Sequence, residues 1–218
     1  MKTTYFVNWQ AGSGSAVAGV LEVKPAAIVF TPADGGAVAA VPLADVQIVR
    51  VCPSTVELDR QSGDPISIES VAAGALGTSL DTAVKLAETL RSLRSEHHRI
   101  DEELGDLRVA VDCLADLTNV RGCEIGLLAT DLMRRVVHHG QVEERELYPA
   151  VARLLGCESL VEAMLFDHRA IEGEVRDLIH VDSGDPAGLA CVFHRLDALL
   201  TTHIAKEEAI VFPLLELG

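Results

Sequence analysis

Twice in this chain a histidine stands four residues before a pair of glutamates, and each pair runs on into an apolar residue, an aromatic residue and a proline. The first copy is His139, Glu143, Glu144, Leu147, Tyr148 and Pro149; the second is His203, Glu207, Glu208, Val211, Phe212 and Pro213. Residues i and i+4 share one face of a helix, so each histidine points the same way as the first glutamate after it. A second pair of stretches repeats as well. "EHHRIDEEL", from Glu96, aligns with "DHRAIEGEV", from Asp167, and places His97 on His168 and Asp101 on Glu172. The repeated unit is therefore a helix carrying one His and then a helix carrying His-xxx-Glu.

The surrounding sequence supplies the helices. "RVAVDCLADLTNV" and "CEIGLLATDLMRRVVHH" carry apolar residues every three to four positions around the break "NVRG", with its turn at Asn119–Gly122. "SLVEAMLFDHRAIEGEVRDLIH" and "GLACVFHRLDALLTTHIAKEEAIVF" flank the loop "VDSGDPA". Four long helices with short turns predict an up-down four-helix bundle. With a rise of about 1.5 Å per residue, His97 and Glu143 lie at similar distances from the first turn, as His168 and His203 do from the second loop. Four His and two Glu can then meet at one interior level. Buried charges need partners or a metal. Imidazole suits Fe, Zn, Cu or Ni, a carboxylate can bridge two ions, and six such ligands suit two ions better than one. A ferritin-like site would instead place Glu three residues before His.

Residues 95–218 resemble the hemerythrin-like (HHE cation-binding) family, on the H…HxxxE…H…HxxxE constellation and on "EERELYP" and "EEAIVFP". The resemblance implies a four-helix bundle with two non-haem irons per chain, bridged by carboxylates. It implies the ligands His97, His139, Glu143, His168, His203 and Glu207, with Glu143 and Glu207 bridging. Oxygen-carrying relatives have a second histidine one turn after the third-helix ligand, where this chain has Glu172. That carboxylate is expected to ligate in its place, to sit behind the ligands, or to leave a position open. The implied functions are binding or sensing of O₂ or NO, oxidoreductase chemistry on peroxide or NO, or iron handling. The neighbours of these residues read as ordinary: Glu144 and Glu208, about 100° off the ligand face, as solvated; His98, His138, His180 and His194 as structural or surface groups; Tyr148 as core.

The composition changes near residue 95. Residues 1–94 hold 7 basic and 9 acidic side chains; residues 95–218 hold 11 and 24, with all eight histidines. The net charge of −15 disfavours a nucleic-acid partner. No apolar run is long enough to span a membrane, and the start lacks a basic-then-apolar leader, so a cytoplasmic protein is expected. Cys52, Cys113, Cys123, Cys157 and Cys191 include no CxxC pair and are expected to be reduced and mostly buried.

From Ala16 to Ser70 the chain offers six short β-type runs: "AVAGVLEV", "AAIVFTP", "AVAAVPL", "VQIVRV", "TVELD" and "ISIES". A helix comes next, capped at Thr78 or Ser79, with a stripe of Ala83, Leu86, Leu90 and Leu93. The expected class is α+β in two domains: a small antiparallel barrel or sandwich with a closing helix over 1–94, and the bundle over 95–218. "GVLEVKPAAIVF", "VPLADVQIVRV", "VELD" and the helix Leu80–Leu93 resemble bacterial PH-like or GRAM-like domains. Some members of that superfamily bind phosphoinositides. Only Lys2, Lys24, Arg50 and Arg60 are basic among the first 75 residues, so the charge favours contact with a protein partner over a lipid.

Overall fold

The computed structural model describes residues 3–113, 120–182 and 185–217. Seven strands come first: β1 (Thr3–Ala11), β2 (Val17–Val23), β3 (Ala27–Pro32), β4 (Ala39–Pro42), β5 (Val46–Val51), β6 (Thr55–Arg60) and β7 (Ile66–Glu69). They form one antiparallel sheet in the order β4-β3-β2-β1-β7-β6-β5. The helices are α1 (Ala73–Asp112), α2 (Val120–Val142), α3 (Tyr148–Leu155), α4 (Glu158–His180), α5 (Pro186–Lys206) and α6 (Phe212–Leu217). Two π turns, Glu143–Leu147 and Glu207–Val211, join α2 to α3 and α5 to α6. The α+β layout, a β unit and then a helical bundle, is as the sequence implies.

Contacts divide the chain into two compact units, Met1–Leu90 with Pro213–Gly218, and Arg91–Phe212. In the first unit the six expected strands are present, and a seventh, β1, precedes them. It is the central strand, paired with β2 on one side and β7 on the other. Tyr5, Val7 and Trp9 alternate inward while Phe6 is 80% exposed, the period-two pattern of a half-buried strand. The expected cap at Thr78 or Ser79 is corrected, because α1 begins at Ala73. Ser70 precedes the helix; its Oγ accepts the Ala72 N–H and its carbonyl the Ala73 N–H. Inside α1, the Thr78 hydroxyl donates to the Gly74 carbonyl and Ser79 pairs with the Tyr5 hydroxyl at 2.8 Å. Leu76, Leu80 and Val84 then complete the sheet's core with Leu21, Ile28 and Ile68. Among the described residues of this unit, Arg50 is engaged by Asp59 and Glu57, Arg60 by Asp45, Lys85 by Asp81 and Lys24 by Glu22 at 3.7 Å.

In the second unit, ion pairs fix the helix directions. Glu103 meets Arg135 and Glu96 meets His139, so α1 and α2 run antiparallel. Arg195 meets Glu174 and Lys206 meets Asp167, so α4 and α5 do too. Arg108 meets Asp197 and Arg94 meets Glu208, which makes α1 and α5 antiparallel and closes an up-down bundle. Its core packs Ile100, Leu104, Val136, Ile171, Phe193 and Leu200. The break expected at "NVRG" is corrected in part: Val120–Gly122 belong to α2, while Asn119 lies outside the described residues. Gly156 ends α3 in the left-handed conformation (φ 61°), with its N–H on the Ala152 carbonyl, and turns the chain into α4. The buried thiols are also corrected. Cys52, Cys113 and Cys191 are exposed and Cys157 is half-buried, because they fall at a turn, a helix end, an outward helix face and the start of α4; all four are free, and the Cys123 side chain lies outside what the structure describes.

Candidate metal centre

Each ligand-type side chain is placed by a helix that also builds the core. His97 comes from α1, His139 from α2, His168 from α4 and His203 from α5; Glu143 and Glu207 open the two π turns. All six are buried, and both glutamates are completely so. His97, not His98, faces inward. His98 is exposed and reaches Glu102 at 3.4 Å. His138 is exposed, His180 bonds the Arg176 carbonyl, and His194 faces Asp112.

The π turns explain the repeated apolar-aromatic-Pro ending. Pro149 has no N–H and its ring crowds the carbonyl four residues back. The wide turn just before it relieves that crowding: the Tyr148 N–H donates to the Glu143 carbonyl, five residues back, and the Phe212 N–H to the Glu207 carbonyl in the same way. The turn brings Tyr148 and Phe212 beside the histidines. Phe212 stacks on His97 with centroids 5.4 Å apart, and Tyr148 lies 5.3 Å from the His168 ring.

The donor atoms form two groups. His97, His139, Glu143 and Glu207 each offer an atom within 4.8 Å of the others; Glu143, His168 and His203 do the same. Glu143 belongs to both. In the first group His139 Nε2 lies 2.8 Å from Glu143 Oε1, and His97 Nε2 lies 3.2 Å from Glu207 Oε2. Yet His97 Nε2, His139 Nε2, Glu143 Oε1 and Glu207 Oε2 are all buried without a hydrogen-bond partner. Four orphaned polar atoms aimed at a common point, and not along hydrogen bonds to one another, are costly unless a cation fills that point. The donor set fits a first-row transition metal. In the second group His168 Nε2 lies 3.1 Å from both Glu143 Oε2 and His203 Nε2.

The electrostatics agree with a cation site. Burial alone would depress the His97 imidazole, but Glu143, Glu207 and Glu208 override it and push it up to about 10. Burial likewise opposes, and Glu143 and Glu144 raise, His168, to about 9. His139 is raised too, by Glu143 and Glu96 against its burial. Of the two carboxylates, Glu143 is held well below its ordinary value against its burial by four histidines; Glu207 is pushed up by burial and by the charge of Glu143. Protons on the imidazoles thus balance the buried carboxylates where a metal would otherwise do so.

Tyr148 does more than fill the core. Its hydroxyl donates to Glu207 Oε1 at 3.0 Å and also lies 3.0 Å from His168 Nε2. Burial, Glu207 and Glu143 raise it, so it stays a neutral phenol. The equivalent position, Phe212, shows that a ring without the hydroxyl fits. Tyr148→Phe should therefore fold and still bind metal, while the metal-free protein loses about 1–3 kcal/mol from the unmet hydrogen bonds, read by denaturant unfolding.

Glu172 is not brought into either group. It is exposed on α4, at a small open pocket that reaches Glu143, His139, His168 and His203 between α2 and α4. Glu146 is exposed beside Arg145 and Asp101 is exposed on α1. Glu144 is exposed and Glu208 half-buried, in keeping with solvated side chains, yet they also bond His168 and His97, each at 2.8 Å. Their long side chains reach sideways to the next helix, which a projection of one helix does not reveal.

A helical bundle with a buried His/Glu cluster that can hold metal defines a cation-binding protein. The family model for the hemerythrin HHE cation-binding domain matches residues 88–215, over half of the chain, and the chain belongs to that family. Membership implies a bound metal, usually iron, and small ligands that bind there. Among curated proteins, none matches the chain. Two solved structures are similar over about a third of it. One is the C-terminal domain of an unknown protein from Leishmania infantum (16% identity, TM-score 0.31, 36% of this chain and 84% of that one). The other is Inner Membrane Complex Sub-compartment Protein 3 from Toxoplasma gondii (19% identity, TM-score 0.31, 38% and 74%). Among the described residues no helix is long and apolar enough to cross a membrane.

Proposed function

We propose that this protein holds two non-haem irons, with His97, His139, Glu143, His168, His203 and Glu207 as ligands and both glutamates bridging, and that it binds or senses O₂ or NO. The observation that carries this reading is the sharing of Glu143 between two donor groups, one of which leaves four buried atoms without partners. Reduced iron supplies an electron-rich position for a small ligand. The chain's own residues do the rest. Glu144 and Glu208 bond the outward nitrogens of His168 and His97, Tyr148 steadies Glu207, and the pocket between α2 and α4 gives a small molecule a way in past Glu172. The β module over 1–94 is read as PH-like and as the surface that passes the signal to a protein partner, with the metal-binding domain over 95–218. The α1 helix contains both Leu80 and Val84 of the sheet's core and His97.

A second reading, an oxidoreductase acting on peroxide or NO, is favoured by Glu172, an acidic group at the pocket where a family oxygen carrier has imidazole. Iron handling is a third. Metal content and an optical spectrum before and after O₂, NO and H₂O₂ separate them. Reversible spectral change with two irons per chain supports binding or sensing. Turnover of H₂O₂ or NO supports the enzyme, and loading beyond two irons supports iron handling.

Glu172 gives a sharper expectation. Its negative charge favours ferric over ferrous iron, so the reduced protein should oxidise in air without recovering its spectrum when O₂ is removed. Glu172→His should make the change more reversible, and Glu172→Ala should keep the iron but alter the rate. Stopped-flow mixing of all three with O₂ reads this. Reversible behaviour that is the same in all three would separate Glu172 from the reaction.

A further inference from the structure

The outward nitrogen of every candidate ligand histidine meets a carboxylate, and that carboxylate always comes from a different helix. Glu96 on α1 bonds His139 Nδ1 on α2 at 2.9 Å. Glu144, in the π turn after α2, bonds His168 Nδ1 on α4 at 2.8 Å. Asp167 on α4 faces His203 Nδ1 on α5 at 3.5 Å. Glu208, in the π turn after α5, bonds His97 Nδ1 on α1 at 2.8 Å. The four links close a circuit: α1 to α2, α2 to α4, α4 to α5, α5 to α1. Each carboxylate is the sequence neighbour of a residue that faces the centre: Glu96 of His97, Glu144 of Glu143, Asp167 of His168 and Glu208 of Glu207. The internal repeat supplies an independent check. Glu96 to His139 in one hairpin matches Asp167 to His203 in the other, and the two crossings between hairpins, Glu144 to His168 and Glu208 to His97, match each other.

We infer that Glu96, Glu144, Asp167 and Glu208 are positioning residues that form a closed outer ring around the metal centre. The inference rests on the metal-binding reading of the inner residues. An ionised carboxylate accepts, so each Nδ1 carries the proton and each Nε2 is turned to the centre. The charge-assisted bonds also make the imidazoles stronger donors to a metal. Because every link crosses to another helix, no histidine is oriented by its own helix alone. The links are unequal. Asp167 is also held by Lys206 at 2.7 Å and Glu208 by Arg94 at 3.3 Å, whereas among the described residues Glu96 and Glu144 bond their histidines without a competing cation. Glu96 and Glu144 therefore give the most charge to their imidazoles, one in each donor group, and Asp167 the least.

The full chain carrying E96Q, E144Q, D167N or E208Q tests this by two readouts. In the metal-free protein, nitrogen-edited NMR tracks the Nδ1 protons. Each substitution should shift the proton of one histidine on the neighbouring helix: His139, His168, His203 and His97 respectively. In the iron-loaded protein, chelator competition should show affinity lower by about 10–100-fold for E96Q and E144Q, and by less for D167N, with the reduction potential raised as negative charge is lost. Glutamine fills the space of glutamate and still offers an acceptor, so a purely structural role would leave the potential unmoved. Nδ1 protons that ignore the substitutions, or E96Q and E144Q with unaltered affinity and potential, would overturn the ring. Failure of the unaltered protein to bind iron would instead remove the metal reading, and the NMR readout would still decide whether the ring exists.

Discussion

Replacing Glu143 and Glu207 together by Ala should strip most of the iron from protein loaded and then desalted, measured as metal per chain. Glu143 turns Oε1 to one donor group and Oε2 to the other, and Glu207 Oε2 completes the first. Loss of both leaves four imidazoles and no anion at the centre. The single variants should be unequal. Glu143→Ala removes a donor from both groups and should cost more metal than Glu207→Ala, which removes one from the first. Full occupancy in the double variant would end the bridging assignment.

The metal-free protein should lose stability as pH rises from 7 to 10, and the iron-loaded protein should not. Unfolded histidine titrates near 6.5, whereas folded His97 and His168 are pushed up to about 10 and about 9. Below 6.5 both states carry the protons, and the stabilisation from the buried carboxylates is fully present. Between 6.5 and 10 only the folded state holds them, so the contribution fades and is gone above 10. A metal replaces those protons, and its affinity should rise over the same interval. At pH 7, free metal at a thousand times its Kd adds about 4.1 kcal/mol to the folded state. Thermal melts with and without a chelator across this range read both effects. A metal-free melting temperature flat from pH 7 to 10, or one indifferent to chelation, would contradict a buried charged centre.

The convergence of the four histidines and two glutamates comes from spacing alone, because i,i+4 geometry and equal distances from the turns leave little freedom for six residues on four helices. The outer ring is hidden from the sequence for the opposite reason. Glu144 and Glu208 lie about 100° from the ligand face, and only the neighbouring helix turns that offset into a bond with His168 or His97. Glu172 stands out through the family's pattern, yet its side chain ends outside the cluster, at the pocket. In the β unit, "TTYFVNWQA" alternates clearly enough to be read as a strand, but it stands before the regular series of turns that marks the other six. Ala73–Gly77 have too few large apolar residues to announce a helix; Leu76 commits them by packing into the sheet's core.

The π turns also decide where the chain tolerates a change of length. Each one holds a residue more than an α turn of the same rise, so it is a one-residue insertion that the helix absorbs locally. Deleting one residue within Arg145–Leu147 should narrow the turn to an α turn and keep α3 on the same face, at the cost of the proline crowding that the wide turn relieves. The same deletion between His139 and Glu143 moves the carboxylate about 100° around the helix and parts it from its histidine. At two positions in this bundle, one in each half, the loss of a residue thus costs stability at the following proline, while between each histidine and the glutamate after it the same loss dismantles the ligand pair.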